Sequence, residues 1–77
     1  MNKERRKILA KIVEKLDEAR NLLDEVKSDE ECVFDNMPEN LQCSERGETM
    51  GEYISTMEDG VDTLEDIVSS LEEIIDG

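Results

Sequence analysis

The feature that most constrains this chain is a run of eight apolar residues spaced alternately four and three apart. These residues are Met50, Ile54, Met57, Val61, Leu64, Val68, Leu71 and Ile75. This spacing places an apolar stripe along one face of an α-helix and does not fit the two-residue alternation of a strand. The segment contains no proline, and it is rich in Glu, Leu and Met, which favour helix. The sequence therefore predicts a helix over about 45–76.

A second run of the same kind lies in the first third of the chain. Its six members are Leu9, Ile12, Leu16, Ala19, Leu23 and Val26. They predict a helix over about 3–29 and leave about 30–44 as the connection, within one domain of residues 1–77. Helices of this length span ~40–48 Å, and a short connection between them favours a hairpin. The predicted fold is therefore all-α, an antiparallel helical hairpin.

The charge distribution supports the antiparallel direction. Residues 1–27 carry eight Lys/Arg and six Asp/Glu, whereas residues 28–77 carry one Arg and sixteen Asp/Glu. Cations at the start of the first helix and acids at the end of the second both oppose the helix dipole. Antiparallel packing brings these two clusters together. We therefore expect ion pairs between them.

Additional apolar residues flank both stripes and widen them beyond what two helices need. They are Ile8, Val13 and Leu22 in the first helix, and Tyr53, Ile67 and Ile74 in the second. A chain of 77 residues with 36% hydrophobic residues has little material for a core of its own. We therefore predict a homodimer in which two hairpins form a coiled-coil-like four-helix bundle. The alternative is a monomer that binds a different protein.

The connection contains apolar residues that an ordinary solvated loop lacks. Phe34, Met37 and Leu41 are spaced by three and four. Asp35 or Asn36 is expected to cap a short helical turn with Pro38 near its first position, and Ser44 to cap the second long helix. The pattern predicts a lid in which these three apolar residues close one end of the hairpin. The alternative is an exposed recognition loop.

The connection also carries a resemblance. The stretch Phe-Asp-Asn-Met-Pro-Glu-Asn-Leu-Gln, with a serine soon after it and an acidic amphipathic segment on either side, resembles a group of short uncharacterised acidic proteins of Gram-positive bacteria, phages and mobile elements. The likeness covers most of the chain, but its specific part is Phe34 to Ser44. It implies a biological setting and no mechanism.

Several classes of function are disfavoured by composition. The chain has no His and two separated cysteines, Cys32 and Cys43, too few ligands for a zinc site. No glycine-rich phosphate loop or calcium loop is present, and the acids lie off the apolar stripes. No apolar run has the ~20 residues of a membrane span. The start, MNKERRKILAKIVEK, lacks the form of a signal peptide. We expect a cytoplasmic protein with reduced thiols, no cofactor, no metal and no enzymatic activity. The alternative for the thiols is a Cys32–Cys43 disulfide that closes a short loop.

The remaining class is a non-catalytic protein that binds or scaffolds another protein. The candidate contact residues are Phe34, Met37, Leu41, Tyr53, Ile67 and Ile74. The alternative is an acidic DNA mimic that inhibits a host DNA-binding protein through the acids of the second helix. With a net charge of −13, direct binding of nucleic acid by the chain itself is not expected.

Overall fold

Two long helices and one short helix make up the protein in the computed structural model, which describes all 77 residues. Helix α1 spans Lys3–Asp35, α2 spans Glu39–Gln42 and α3 spans Glu45–Asp76. Helices α1 and α3 pack side by side in a rod whose Cα atoms extend 57 × 14 × 13 Å. The predicted all-α helical hairpin is confirmed. We call the end with the chain termini the open end and the end with α2 the closed end.

The helix starts are set by polar side chains. Asn2 Oδ1 accepts a hydrogen bond of 2.9 Å from the Arg5 amide, and Ser44 Oγ accepts one of 3.3 Å from the Gly47 amide. Both side chains satisfy amides that have no partner within the helix. Ser44 was predicted as a cap. The start of α3 at Glu45 coincides with the expected position.

Helix α1 continues six residues beyond its predicted end at residue 29. Its C-cap is Asn36, whose Nδ2 donates to the Cys32 carbonyl at 2.9 Å. Pro38 follows two residues later and cannot continue the helix. The predicted end at residue 29 is wrong. Ser28 and the acids after it have the spacing of a helix boundary, but the apolar spacing resumes at Phe34 and Met37.

The predicted contact stripe of α3 is confirmed. All eight of its apolar residues are buried or half-buried, with Met50, Val61 and Val68 each 8% exposed. No large side chain in the protein is fully buried. The hairpin therefore has a shallow core along a single line of contact, as a pair of helices must.

The contact stripe of α1 differs from the predicted one. Leu9, Leu16 and Leu23 are half-buried as expected, but Ile12, Ala19 and Val26 are exposed. Val13, which was expected at the flank, is half-buried instead. The residues of α1 on the contact side are Arg6, Leu9, Val13, Leu16, Arg20, Leu23, Lys27, Glu30 and Phe34. The helix is rotated so that the long side chains of Arg6, Arg20 and Lys27 lie along the contact. Such side chains can cover apolar surface with their stems. The charged ends of Arg20 and Lys27 lie beside acids.

The closed end is tied down by a few specific contacts. Gln42 Nε2 donates to the Phe34 carbonyl at 2.8 Å, and the Ser44 hydroxyl donates to the Leu41 carbonyl. Phe34 is half-buried. A Cβ atom on Gly47 would overlap the backbone of Leu41 and Gln42, so the connection passes directly over the first turn of α3. This close approach requires glycine.

The predicted capping of the short turn is wrong. Pro38 is the N-cap of α2, and its side chain makes no capping hydrogen bond, while Asn36 ends α1 instead. Met37 is half-buried like Phe34, but Leu41 is 44% exposed. Two of the three residues assigned to the lid therefore contribute to packing at this end, and the third faces solvent.

Candidate interaction surface

One long side of the hairpin is charged. Arg20 Nη1 of α1 lies 3.2 Å from Glu65 Oε1 of α3, in the one salt bridge that joins the two long helices. Lys27 Nζ lies 3.6 Å from a carboxylate oxygen of Asp24 and 3.6 Å from one of Glu31. No salt bridge joins the cations at the start of α1 to the acids at the end of α3. The ion pairs expected at the open end are therefore not formed.

Lys27 is the one group whose pKa clearly departs from its ordinary value. Desolvation lowers the pKa of this amine, but the negative charges of Glu31, Asp24 and Glu58 together raise it above the usual value. Glu58 belongs to α3 and the other two acids belong to α1. The acids of both helices therefore converge on this side of the hairpin.

The heptad positions show what lies on the opposite side. Written as abcdefg, the contact residues of α1 occupy a and d from Arg6 at a, and those of α3 occupy a and d from Gly47 at a. In an antiparallel pair, e positions lie beside e positions and g beside g. Glu31 of α1 and Glu58 of α3 are both at e, on the charged side. The g positions of both helices must therefore share the other side.

This other side carries most of the exposed large apolar residues, and we call it the neutral face, although Arg5, Lys15, Asp29 and Arg46 also occupy its c and g positions. Its large apolar residues at c and g are Ile8, Ile12, Leu22, Val26, Val33, Tyr53, Ile67 and Ile74. Each of them is between 40% and 62% exposed. This concentration of exposed apolar side chains makes the neutral face a candidate site of association.

The acids of α3 are excluded from the neutral face. All eleven occupy positions b, e or f: Glu45, Glu48, Glu52, Glu58, Asp59, Asp62, Glu65, Asp66, Glu72, Glu73 and Asp76. Between Tyr53 and Ile74, the c and g positions hold only Tyr, Thr, Gly, Ile and Ser. Helix α3 therefore has one strongly negative side and, from Tyr53 to Ile74, one uncharged side.

A shallow depression lies where the neutral face reaches the closed end. It has a volume of about 630 Å³ and is lined by Glu30, Glu45, Arg46, Thr49, Met50 and Tyr53. Tyr53 lies at the edge of this depression and is 61% exposed. The combination of an aromatic ring, a buried methionine and charged residues at the margin is typical of a protein contact rather than of a small-molecule pocket.

The structure brings together some of the predicted contact residues and separates the others. Tyr53, Ile67 and Ile74 lie on the neutral face, whereas Phe34, Met37 and Leu41 form a separate group at the closed end. Sequence reasoning assigned Ile12 and Val26 to the helix contact and overlooked Val33. Extending the heptads of α1 backwards from Phe34 would have placed all three at position g.

Metal-binding groups, cysteines and membrane-spanning helices are the other features that could indicate a function. No group of three or more Cys, Asp or Glu side chains is placed to hold a metal ion. Cys32 and Cys43 are both free and exposed. None of the helices combines the length and the apolar character that crossing a bilayer requires.

Comparison with known proteins adds no relative. No family model matches the chain, and neither the curated proteins nor the solved structures give a match. The class of protein is therefore defined by the fold and the surface alone. It is an acidic helical hairpin with one apolar side.

Proposed function

We propose that this protein is a non-catalytic interaction module that works as a homodimer and binds or scaffolds another protein. The observation that carries the proposal is that far more of its large apolar residues are exposed than are buried. Ten large hydrophobic side chains are at least 40% exposed, and only three hydrophobic residues are buried. A chain that leaves this much apolar surface in water gains stability when another protein surface covers it.

The second protein is expected to contact the closed end and the acidic side of α3, which a dimer would leave free. Leu41 is 44% exposed on α2, next to the tightly held turn at Ser44. An exposed apolar residue on a connection between two long helices is suited to contact with a partner. Gln42, on the same short helix as Leu41, donates a hydrogen bond to the Phe34 carbonyl.

An affinity capture from the lysate of a Gram-positive host at low and high salt tests this part of the proposal. Leu41→Asp should abolish capture at both salt concentrations without changing the melting temperature, because the side chain is exposed. Asn40→Asp, one residue away on the same short helix, is the matched control for the added charge and should retain capture. Equal capture by wild type and Leu41→Asp would contradict a role for the closed end.

The second candidate is an acidic DNA mimic that inhibits a host DNA-binding protein. It is favoured by one observation, the confinement of all eleven acids of α3 to its b, e and f positions, with Arg46 as its single cation. Such a one-sided negative surface attracts basic DNA-binding sites over long distances. A phage or mobile-element setting, as the resemblance in the connection implies, fits either candidate.

Salt and DNA competition distinguish the two candidates. Capture of a DNA-binding enzyme that falls steeply with salt and is competed by duplex DNA supports mimicry. Capture that tolerates salt and depends on Leu41 supports the interaction module. Asp59→Asn with Asp66→Asn, both on the outer side of α3, should weaken capture by a mimic and leave capture by the module unchanged.

A further inference from the structure

We propose that the neutral face binds the same face of a second copy, with the two hairpins running in opposite directions about a twofold axis across their middle. This inference deepens the proposed homodimer and rests on it. In such a pair, α1 lies on α1 of the second copy and α3 lies on α3. A twofold axis along the hairpin would instead place both closed ends together, with α1 on α3.

The size of the neutral face suits a second copy. The hairpin is 57 Å long, and two adjacent helices with side chains are about 20 Å wide, so the face measures on the order of 1,000 Å². A stable protein interface buries about 800 Å² on each partner. One copy can therefore supply the whole of the covering surface.

The g positions determine which orientation packs evenly. The contact between Arg20 and Glu65 shows which residues of the two long helices lie at the same level. In this register the g residues form four levels along the rod: Ile12 with Ile74, Ala19 with Ile67, Val26 with Gly60, and Val33 with Tyr53. The second level has one small residue beside a large one. The third has glycine beside valine and is the smallest of the four.

When the two hairpins run in opposite directions, the smallest level of one copy faces a larger level of the other. Val26 and Gly60 of one copy then meet Ala19 and Ile67 of the other, so Ile67 fills the space above Gly60. Parallel hairpins would place two glycines and two valines in one level and leave a gap there. Gaps of this kind are costly because protein interiors are closely packed. Gly60 already allows Leu23 to approach, since its Cβ would lie 3.0 Å from Leu23 Cδ2.

The charges favour the same orientation. Residues 1–20 and 65–77, at the open half, carry seven Lys/Arg and nine Asp/Glu, net −2, whereas residues 21–64 carry two Lys/Arg and thirteen Asp/Glu, net −11. Parallel hairpins would lay the two −11 halves together. Opposite directions also bring Lys15 of one copy close to Asp29 of the other, since both occupy c positions and lie seven residues either side of Leu22, near the middle of the rod. These are the only two charged c residues of α1.

Cysteine cross-linking tests the orientation. In a background with Cys32→Ser and Cys43→Ser, Thr63→Cys lies beside its own counterpart at the twofold axis and should form a disulfide-linked dimer under mild oxidation. Proximity in a dimer raises the effective thiol concentration, so cross-linking at micromolar protein should be faster by on the order of tenfold or more than for a thiol facing away. Ser69→Cys, which faces outward on α3, is that comparison.

A second pair of variants makes the test specific. Thr56→Cys and Ser70→Cys lie on the same face, one heptad either side of Thr63. Neither should cross-link alone, but an equal mixture should give the mixed dimer. If sedimentation shows a dimer while Thr63→Cys fails to cross-link, the orientation is overturned and the homodimer stands. If the wild type is monomeric at all accessible concentrations, the second copy and the proposed homodimer both fail, and a different protein must cover the neutral face.

Discussion

Arg20 Nη1 donates to Glu65 Oε1 at 3.2 Å across the hairpin, from a position in α1 that a two-helix contact normally gives to an apolar residue. The Arg20 side chain is 32% exposed and that of Glu65 is 50% exposed. The Nε atom of Arg20 is buried without a hydrogen-bond partner. The bridge therefore combines a half-exposed ion pair with an incompletely satisfied guanidinium group.

Removing this salt bridge should change the stability of the protein only slightly, and replacing Arg20 by an apolar residue should increase the stability. We expect Glu65→Gln to lower the free energy of unfolding by at most about 1 kcal/mol, because exposed ion pairs contribute little. Arg20→Leu should raise it, because an apolar side chain at this position buries surface without an unsatisfied nitrogen. Urea titration followed by circular dichroism measures both. A large loss with Arg20→Leu would show that the bridge specifies the register.

Two glycines of α3 should respond to alanine in opposite directions. Gly47→Ala should destabilise the protein, because the new methyl group overlaps backbone atoms of Leu41 and Gln42. Gly51→Ala should stabilise it by about 1 kcal/mol, since no atom lies within 4 Å of the new Cβ and alanine favours helix.

Thermal unfolding of these two variants beside the wild type is the measurement. The pair is matched, since both changes add one methyl group to the same helix four residues apart. Stabilisation by Gly47→Ala would mean that the connection does not pass over the first turn of α3.

The pKa of Lys27 gives the hairpin a sensitivity to alkaline pH. Because this pKa is raised in the folded protein, the contribution of Lys27 is complete below its unfolded pKa of about 10.5 and is lost as the pH rises through the folded value. Stability should therefore fall more steeply above about pH 10 in the wild type than in Lys27→Arg, whose guanidinium stays charged.

Unfolding measured in urea at pH 8, 10 and 11 checks this expectation. The two proteins differ at this one residue, so the comparison isolates its contribution. Parallel pH profiles for the two proteins would show that the three acids around Lys27 do not stabilise its charge.

Aspartate at neighbouring positions of α3 should separate folding from assembly. Leu64→Asp places a charge in the contact between the helices and should cost roughly 3 kcal/mol or more, enough to unfold a small hairpin. Ile67→Asp places the same charge on the neutral face, where the side chain is 42% exposed. The second variant should keep its helical content and lose the dimer.

Circular dichroism and sedimentation on both variants give the two readouts. Unchanged melting of Leu64→Asp would contradict the assignment of the contact stripe. Retention of a dimer by Ile67→Asp would place the dimer contact elsewhere on the rod.

The helices and their order follow from local sequence. The spacing from Met50 to Ile75 fits only one helical face, and Ser44 provides a cap at its start. The end of α1 was harder to predict, because Ser28 and the acids after it resemble a boundary when read alone. The exposure of Tyr53, Ile67 and Ile74 could be predicted because a single stripe on α3 left no choice of face.

The rotation of α1 was decided by the tertiary structure. Most of its apolar residues occupy c, d and g, with Val13 and Phe34 at a, and this arc is too broad for one neighbour, so sequence alone allows either side of Leu16 and Leu23 to face α3. Contact with α3 selects the side that includes Arg20 and Lys27, because their charges meet the acids of α3 there. The sequence of α1 shows which of its residues are apolar, whereas packing against α3 determines which of them are buried.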